Sequence, residues 1–498
     1  MTTLTTKLCV IGGGPTAVAA LFEARARGIP ALALEAGATP LASLHAHIEG
    51  LVYLSPASHW EVGGLPLDCR DSLECEREDV LHYYARVIQM GRLDIRCRHR
   101  CVGLRPDADG VTVEVEVEVE TPEGRIEVRA EEVLVTAWYE RRPLPPDSVE
   151  PGSRVEVREG LRSAAEMAGR RVAVLGGGIS GFEQAGALMM AGQPVTLLMR
   201  GAPRGMHRLP HFARLVEATG SRLVPNASAV RVTRDGVTYH EGGEARHLPC
   251  DVLVAACGAR LSPQVLELLT RAGVLTGDEV RGLRESVSLE EAKQAHPDWT
   301  AAEQERLAVE SRPDLWPLVF EGRRRVRLAG GPLHVGASNA GVMVSIATAV
   351  FAVRAMAGAR VPAGMAPPLA RALLNLEALL QVLRDDVPPE RVESLRPLAV
   401  GSWSRAWVHP HLLERPTAQN VERTTGLDPT RFLLPPGLGA SDMERELLGL
   451  ADGTTSIAEI ADANEMTDPV ERAKLVATFR NLWSRNVLTW LPPQDAER

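Results

Sequence analysis

The stretch Lys7-Leu8-Cys9-Val10-Ile11-Gly12-Gly13-Gly14-Pro15-Thr16-Ala17 determines the fold that we expect for this chain. Its apolar start is typical of a buried strand that leads into a glycine turn, and the Ala-rich stretch Val18–Arg27 is typical of a helix. Gly28-Ile29-Pro30 ends this helix, and Ala31–Leu34 is a second apolar run. The sequence therefore predicts a βαβ unit, which is one half of a nucleotide-binding fold.

The glycine turn matches the dinucleotide-binding pattern G-x-G-x-x-A. Gly12 permits the tight turn from strand to helix, Gly14 lets the backbone approach a pyrophosphate, and the small Ala17 lets the helix pack on the strand. The phosphates would sit at the helix N-terminus, where free N–H groups favour an anion. Glu35 follows the second strand, where a carboxylate accepts hydrogen bonds from ribose hydroxyls. The predicted first site consists of Gly12, Gly14, Pro15, Thr16, Ala17 and Glu35.

The same pattern occurs a second time at Gly176-Gly177-Gly178-Ile179-Ser180-Gly181, between apolar runs that predict another βαβ unit. Here the second strand, Val195–Met199, is followed by Arg200 instead of a carboxylate, and Arg204 lies close behind. Because a guanidinium pairs with phosphate through two hydrogen bonds, these arginines favour the 2′-phosphate of NADPH. A solvated basic loop is the alternative. The predicted second site consists of Gly176, Gly178, Ile179, Ser180, Gly181, Arg200 and Arg204.

The order of the two motifs predicts the domain organisation. The first unit resumes after the second one, at the apolar run Arg325–Ala329, so FAD is expected in this bracketing unit and NAD(P)H in the inserted unit. We expect an α/β protein with two Rossmann-like βαβ dinucleotide-binding domains, the second inserted in the first. The expected divisions are 1–143 and 325–360 for the FAD-binding domain, 144–258 for the NAD(P)H-binding domain, 259–324 for a helical insertion, 361–400 for linker helices and 401–498 for a C-terminal domain.

The C-terminal domain is expected to be mainly helical and winged-helix-like, because three short helical patterns precede a strand pattern. These segments are Met443–Leu450, Ser456–Ala463, Pro469–Trp483 and Val487–Leu491. The stretch Leu447–Ile460 resembles the small peptide-binding modules of peptide-modifying systems such as pyrroloquinoline-quinone biosynthesis. A dimerisation or capping domain without a recognition role is the alternative.

Composition and charge disfavour several other classes of protein. A formal net charge of −9 argues against a surface that binds nucleic acid. No apolar run reaches the roughly 18 residues that span a bilayer, and no signal peptide is evident, so we expect a cytoplasmic protein without a membrane partner. The seven cysteines include no Cys-x-x-Cys pair. His45-Ala46-His47 and His409-Pro410-His411 lack a third ligand at a recognisable spacing, so no metal site is expected.

Two further stretches, Leu54–Pro66 and Val135–Tyr139, resemble bacillithiol-disulfide-reductase-like flavoproteins, a branch of the thioredoxin-reductase superfamily. The resemblance covers roughly residues 3–356. It implies FAD and NAD(P)H as cofactors. It also implies that Ser55, Trp60 and Asn339 lie near the isoalloxazine ring of the flavin.

The chain departs from this branch at two places in the predicted FAD site. Thr16 stands where the reductases have a cysteine in the first glycine turn. Ala329-Gly330-Gly331 stands where many relatives have an aspartate that holds the ribityl chain of FAD, and backbone contacts from Gly330 are the expected substitute.

Three functions follow from these features. The first is an FAD-dependent oxidoreductase that uses NADPH to oxidise or oxygenate a small molecule or a peptide, since thiol exchange requires a thiolate nucleophile that the motifs lack. The second is an NADPH-dependent disulfide reductase that uses a thiol outside the usual motifs, such as Cys69 or Cys75. The third is a flavin-fold scaffold whose C-terminal domain binds a peptide or a partner. No catalytic residue is assigned, and a homodimer is compatible with each.

Overall fold

The computed structural model describes residues 3–53, 60–63, 65, 67, 75–117, 124–201, 212–285, 292, 295–296, 298–300, 303–304, 307, 313–330, 341–358, 393–399, 447–451, 453–484 and 488–491. Within these residues the strands are, in chain order, β1 Thr3–Ile11, β2 Ala31–Leu34, β3 Ile95–Arg96, β4 His99–Pro106, β5 Val111–Val117, β6 Arg125–Val135, β7 Tyr139–Arg141, β8 Glu156–Arg158, β9 Val172–Leu175, β10 Val195–Leu198, β11 Arg222–Val224, β12 Ser228–Val232, β13 Gly236–Glu241, β14 Glu244–Pro249, β15 Val252–Ala255, β16 Ala259–Leu261, β17 Val326–Leu328, β18 Arg396–Ala399 and β19 Leu488–Leu491.

The helices are α1 Pro15–Ala26, α2 Ala42–His45, α3 Arg77–Gly91, α4 Ile179–Met190, α5 Phe212–Thr219, α6 Pro263–Arg271, α7 Gly277–Glu285, α8 Trp316–Phe320, α9 Gly341–Met356, α10 Ile457–Ala463 and α11 Pro469–Ser484. Two 3₁₀ turns, Pro146–Ser148 and Ala164–Met167, lie between β7 and β9. No helix of the described part is long and apolar enough to cross a membrane.

The first sheet has seven strands in the order β3-β2-β1-β6-β5-β4, and β17 also pairs with β6. Strand β1 is parallel to β2 and to β6, in a register that places Ile11 beside Leu34 and beside Val135. All three residues are the last of their strands, so the chain leaves the sheet at the same edge each time. This register confirms the first βαβ unit and gathers the segments after residues 11, 34 and 135 in one place.

The hairpin formed by β5 and β6 in this sheet brings both opposite and like charges face to face. Strand β6 is continuous: its first part pairs antiparallel with β5, while its end pairs parallel with β17. Glu116 lies opposite Arg125, but Glu114 lies opposite Glu127. Arg105 of β4 bonds to both of these facing carboxylates, at 2.8 and 2.5 Å. A cation from the third strand therefore offsets the like-charge pair.

The second sheet has five parallel strands in the order β11-β10-β9-β15-β8. Strand β9 lies between β10 and β15, and these three strands also end level with one another, at Leu175, Leu198 and Ala255. The chain enters and leaves this unit through β7 and β16, which pair antiparallel. A second nucleotide-binding unit is thus inserted between β6 and β17 of the first.

Helices α6 to α8 belong to the segment that the sequence identified as an insertion. Leu266 and Leu269 of α6 and Trp316 of α8 are buried in the same apolar cluster as Leu8 and Val133 of the first sheet. The chain then returns through β17, whose Val326 lies beside Val133. The insertion therefore extends the core of the first unit.

The described part of the C-terminal region contains α10, α11 and the antiparallel pair β18–β19. Ser456 caps α10 through a capping box with Glu459, as the Ser-x-x-Glu spacing indicates. The segment 361–400 was expected to consist of linker helices, but its described end is strand β18, which pairs with β19. Leu395 packs in the apolar cluster of the C-terminal helices, so β18 belongs to that unit. The winged-helix arrangement stays a prediction.

Candidate functional site

The first glycine turn lies where β1, β2 and β6 end. The N–H of Gly12 donates to the carbonyl of Leu34 at 2.9 Å. Gly12 has a φ of +115°, which favours glycine. A Cβ atom on it would lie 2.6 Å from Oγ1 of Thr136, the residue that follows β6. Glycine is needed at this position because β6 closes one side of the turn.

Glu35 lies directly behind this turn. Its Oε2 accepts a hydrogen bond of 2.7 Å from the N–H of Gly13, and its Oε1 accepts one of 2.6 Å from the N–H of Gly37. A carboxylate offers about four acceptor positions, so it can also accept from the hydroxyls of a ribose. The structure thus brings together the turn and the carboxylate that the sequence paired.

Helices α1 and α4 each begin at a glycine turn, and in both the N-cap is a glycine without a side-chain hydrogen bond. By contrast, capping boxes close the N-termini of α3 and α10. The first N–H groups of α1 and α4 therefore remain available for an anion. Pro15, Thr16 and Ala17 form the first turn of α1, while Ile179, Ser180 and Gly181 form the first turn of α4.

The second glycine turn repeats the geometry of the first. The N–H of Gly176 donates to the carbonyl of Leu198 at 2.9 Å, and its φ is +138°. A Cβ atom on Gly176 would lie 2.1 Å from the carbonyl oxygen of Ala256, which follows β15 as Thr136 follows β6. A Cβ atom on Gly181 would lie 1.9 Å from the carbonyl oxygen of Gly176, so helix and turn touch. A Cβ atom on Gly178 would have no other atom within 4 Å.

Met199 occupies the position behind the second turn that Glu35 occupies behind the first. A Cβ atom on Gly177 would lie 3.1 Å from Cβ of Met199, and the corresponding distance from Gly13 to Glu35 is 2.7 Å. Met199 is buried, and the next residue, Arg200, is exposed. The second site therefore has an apolar side chain where the first has a carboxylate, and the cation expected there, Arg200, lies one residue further along the chain. Arg204 lies outside the described residues.

Gly330 follows β17 and has a φ of +69°. Its N–H donates to Oγ1 of Thr348 on α9 at 2.8 Å, so a ribityl contact through this N–H would have to replace Thr348. Beside it, the indole N–H of Trp138 donates to the carbonyl of Ala329 at 2.9 Å. Ser55 and Asn339, the other residues that the family resemblance places near the flavin, lie outside the described residues.

A cluster of polar side chains, which we call the junction cluster, lies where the two units meet and consists of His47, Tyr53, Trp60 and Glu183. Nδ1 of His47 and the hydroxyl of Tyr53 are 2.9 Å apart, and the rings of Tyr53 and Trp60 are 4.6 Å apart. Glu183 lies on α4, close enough to Tyr53 for its charge to raise the pKa of the phenol. Sequence reasoning considered His47 only as a metal ligand and did not identify the other partners as a group.

Charges and burial set the protonation of this cluster. Burial, followed by the charges of Arg141 and Arg77, lowers the pKa of His47 to about 4. Burial raises the pKa of Tyr53 well above its usual range and that of Glu183 to about 7. At neutral pH the imidazole is therefore uncharged and the phenol protonated, while Glu183 changes charge near pH 7.

The described cysteines are all free thiols, and most are poor nucleophiles. Burial raises the pKa of Cys101 to about 12 and that of Cys250 to about 11. Burial is also the main cause that raises the pKa of Cys9, Cys97 and Cys257. A raised pKa reduces the thiolate fraction on which disulfide exchange depends. Among the described side chains, no three possible ligands form a group that could hold a metal ion.

Two nucleotide-binding units with glycine turns of matching geometry are the arrangement expected of an oxidoreductase that binds two dinucleotides. The chain matches the family described as pyridine nucleotide-disulphide oxidoreductase over residues 6–283, which is more than half of its length, and it belongs to that family. FAD and a pyridine nucleotide are accordingly its cofactors.

Solved structures agree with this assignment of the fold. The bacillithiol disulfide reductase of Staphylococcus aureus is 20% identical and superposes with a TM-score of 0.55, covering 71% of this chain and 99% of its own. The corresponding enzyme of Bacillus cereus is 20% identical with a TM-score of 0.54 and the same coverage. A search of curated proteins found no match. These two structures share the fold of this chain over about 71% of its length.

Proposed function

We propose that this flavin-dependent oxidoreductase uses NADPH and oxidises or oxygenates a small molecule or a peptide. The observation that carries the proposal is the contrast between the two glycine turns. Glu35 lies behind the first turn and suits ribose hydroxyls, whereas the apolar Met199 lies behind the second turn and the exposed Arg200 that follows it suits a 2′-phosphate.

Different residues of the described part would bind different groups of the two cofactors. The uncapped N-termini of α1 and α4 would each hold a pyrophosphate, and Glu35 would orient the ribose of FAD. Arg200 would pair with the 2′-phosphate of NADPH from the second unit. Bound FAD supplies the redox chemistry by accepting a hydride and passing on two electrons, and the protein supplies binding and orientation.

The cysteines of the chain favour a final electron acceptor other than a disulfide. Thr16 stands in the first turn of α1 where the related reductases have a cysteine, and a hydroxyl does not exchange with disulfides. Five described cysteines have raised pKa values, so they carry little thiolate at neutral pH.

Disulfide reduction is the second candidate, because the two solved structures compared above are bacillithiol disulfide reductases. It would require a thiol outside the first turn. Cys75 is buried in the core at the junction of the two units, and Cys69 lies outside the described residues. The number of free thiols before and after reduction by NADPH distinguishes this candidate from the first.

The test begins with the purified yellow protein under anaerobic conditions. We expect NADPH to bleach the flavin at lower concentrations than NADH, and we expect oxygen to restore its colour with oxygen uptake. The thiol count should stay the same before and after bleaching. Two additional thiols after NADPH would overturn the first candidate in favour of the second, and bleaching by NADH alone would overturn the choice of nucleotide.

A further inference from the structure

Arg141 connects the two nucleotide-binding units. It is the last residue of β7, one strand of the antiparallel pair through which the chain enters and leaves the second unit. One Nη atom of its guanidinium donates to the carbonyl of Ala46 in the first unit at 2.6 Å. The other donates to the carbonyl of Glu159 in the second unit at 2.9 Å. A single side chain is therefore bonded to both units at once.

The segment of the first unit that receives this bond, residues 46–49, is held at further points. Arg77 of α3 donates to the carbonyl of His47 at 2.6 Å, which fixes the segment to its own unit. The N–H of Glu49 donates to the carbonyl of Arg162 at 2.8 Å, which is a direct backbone bond between the two units. Both ends of the segment are thus bonded to the inserted unit or to the side chain that reaches it.

The guanidinium of Arg141 fits closely against the second unit. A Cβ atom on Gly160 would lie 1.8 Å from Nη1 of Arg141 and 2.7 Å from its Cζ, so the group lies against bare backbone. Arg141 is half-buried, and a charged group that loses water needs polar partners in its place. The two carbonyls supply them only while the units keep this orientation.

The contact between the units is also apolar. Val18 and Phe22 of α1 are buried in the same cluster as Phe182 and Ala185 of α4. These two helices begin at the two glycine turns, so their relative position is also the relative position of the two predicted pyrophosphate sites. A different angle between the units would expose part of this cluster to water, which is unfavourable. The apolar contact and the Arg141 contact therefore favour the same arrangement.

Transfer of a hydride from the pyridine nucleotide to FAD depends on this arrangement. Each unit has one glycine turn, so the two cofactors would be held by different units. The nucleotide loses a hydride with its two electrons and the flavin gains it, and the step needs no further reactant. Reacting atoms must come within about 3–3.5 Å, and a misplacement of about 1 Å can slow a reaction by about 100-fold. The angle between the units therefore controls the rate.

We propose that Arg141 is a positioning residue for hydride transfer. By bonding to Ala46 and Glu159 it fixes the angle between the units, and through that angle the distance between the two cofactors. In this role it acts through the units and binds neither cofactor. The proposal goes beyond the function proposed above, because it holds for either pyridine nucleotide and for any final electron acceptor.

The test is anaerobic stopped-flow bleaching of the FAD-loaded protein, with saturating amounts of whichever of NADPH and NADH bleaches the wild type faster. In Arg141→Met we expect the rate at saturation to fall by about 10- to 100-fold, and the Kd values for FAD and the nucleotide to change less than about threefold. Arg141→Lys keeps the charge, but its single Nζ cannot span both carbonyls, so it should not restore the rate. Arg142→Met, at the exposed next position, is the matched control and should bleach at the wild-type rate.

Gly160→Ala tests the same contact with Arg141 still in place. Its Cβ atom would occupy the position of the guanidinium, which must then leave the second unit. We expect the same loss of bleaching rate as in Arg141→Met. Gly277→Ala, at the start of α7, is the control because its Cβ atom would have no other atom within 4 Å.

Amide hydrogen exchange at Glu49 gives a measurement independent of turnover, since this N–H bonds to Arg162 across the contact. It should exchange faster in Arg141→Met and in Gly160→Ala than in the wild type, while the N–H groups of β1 stay protected. Wild-type bleaching in Arg141→Met, or full recovery of the rate in Arg141→Lys, would overturn the proposal. So would slow bleaching with unchanged exchange at Glu49, or a rise in either Kd that accounts for the whole effect.

Discussion

The carboxylate of Glu35 accepts a hydrogen bond of 2.7 Å from the backbone N–H of Gly13, so the acid behind the first turn is fixed by the turn itself. A second bond from Gly37 fixes the other oxygen. The side chain is therefore held in one orientation before a ribose binds. Less conformational entropy of the Glu35 side chain is then lost on binding. In the second unit, the same position holds Met199, which offers no such acceptor.

Glu35→Gln should weaken FAD binding. The amide keeps the size of the side chain but replaces one acceptor oxygen by a donor. It also removes the negative charge, and hydroxyls donate stronger hydrogen bonds to a charged oxygen than to a neutral one. We expect the Kd for FAD to rise at least about tenfold, since a hydrogen bond to a charged group contributes roughly 1.5–3 kcal/mol. Flavin fluorescence during titration of the apoprotein measures this. Glu131→Gln, on an exposed position of β6, should leave the Kd unchanged.

Gly178→Ala distinguishes a structural glycine from a binding glycine. The added Cβ atom meets no atom within 4 Å, and the residue has an extended backbone, so the folded protein should be as stable as the wild type. The same Cβ atom would obstruct a pyrophosphate that approaches the backbone. We therefore expect unchanged unfolding in urea together with a higher KM for NADPH. An unchanged KM would show that no phosphate lies there.

Gly176→Ala provides the contrast. Its Cβ atom would lie 2.1 Å from the carbonyl of Ala256, at a φ of +138°. This variant should lose stability whether or not NADPH is present.

Arg200→Ala tests the choice between nucleotides. Loss of the guanidinium should raise the Kd for NADPH by about tenfold or more and leave the Kd for NADH nearly unchanged, because only NADPH carries the 2′-phosphate. Arg214→Ala, an exposed position on α5 of the same unit, is the control. Titration of bound flavin absorbance with each nucleotide gives both constants. Equal effects on the two nucleotides would show that Arg200 contributes only a general positive charge.

The sequence alone was sufficient to predict the two glycine turns, because the residues that form each turn are neighbours in the chain. The strand, the glycines and the helix are contiguous, and the residue behind each turn follows at a fixed spacing. Thr136 and Ala256 are different: they contact Gly12 and Gly176 only because β6 and β15 pair with β1 and β9. Strand pairing over such separations has no signature in a single sequence.

The junction cluster shows the same limit more strongly. His47 and Tyr53 are near each other in the chain, but Glu183 joins them only when α4 packs on the first unit. From the sequence, His47 was considered only as a possible metal ligand and that role was rejected, whereas its partner in the structure is the phenol of Tyr53. The β18–β19 pair was missed for a related reason, since its two strands are separated by about ninety residues.

The pair Glu279–Arg323 should make stability depend on pH. Both Nη atoms of Arg323 bond to the carboxylate, at 2.9 and 3.0 Å, and lower the pKa of Glu279 to about 2. Because the folded-state pKa is below the ordinary value near 4.5, the stabilisation is complete above about pH 4.5 and is lost as the pH falls towards 2.

Glu279→Gln should therefore cost about 1–2 kcal/mol in free energy of unfolding at pH 6, since the pair is only partly buried, and less at pH 3.5. Urea denaturation at the two pH values measures this difference. Glu285→Gln, at the exposed end of α7, should show no such pH dependence. An equal loss at both pH values would mean that the charge of Glu279 is not what stabilises the fold.

Arg396 fixes the C-terminal unit to the first unit, and its replacement should separate them. One of its Nη atoms donates to the carbonyl of Gly453 and the other to the carbonyl of Met90 at the end of α3, both at 2.9 Å. Burial, together with the nearby charges of Arg92 and Arg25, lowers its pKa to about 10, so it stays charged at neutral pH. The buried guanidinium therefore depends on these carbonyls for compensation.

Arg396→Met keeps the aliphatic part of the side chain and leaves the two carbonyls without this donor, at a cost of roughly 1–3 kcal/mol. We expect faster amide hydrogen exchange in α10 and α11 and at the end of α3, with little change in the first sheet, because local opening exposes the contact without unfolding the core. Arg480→Ala, which removes an exposed cation from α11, should leave exchange at the wild-type rate. Unchanged exchange in α3 of Arg396→Met would show that the contact between the two units does not depend on this residue. A peptide-binding role of the C-terminal region would then have to operate independently of the flavin site.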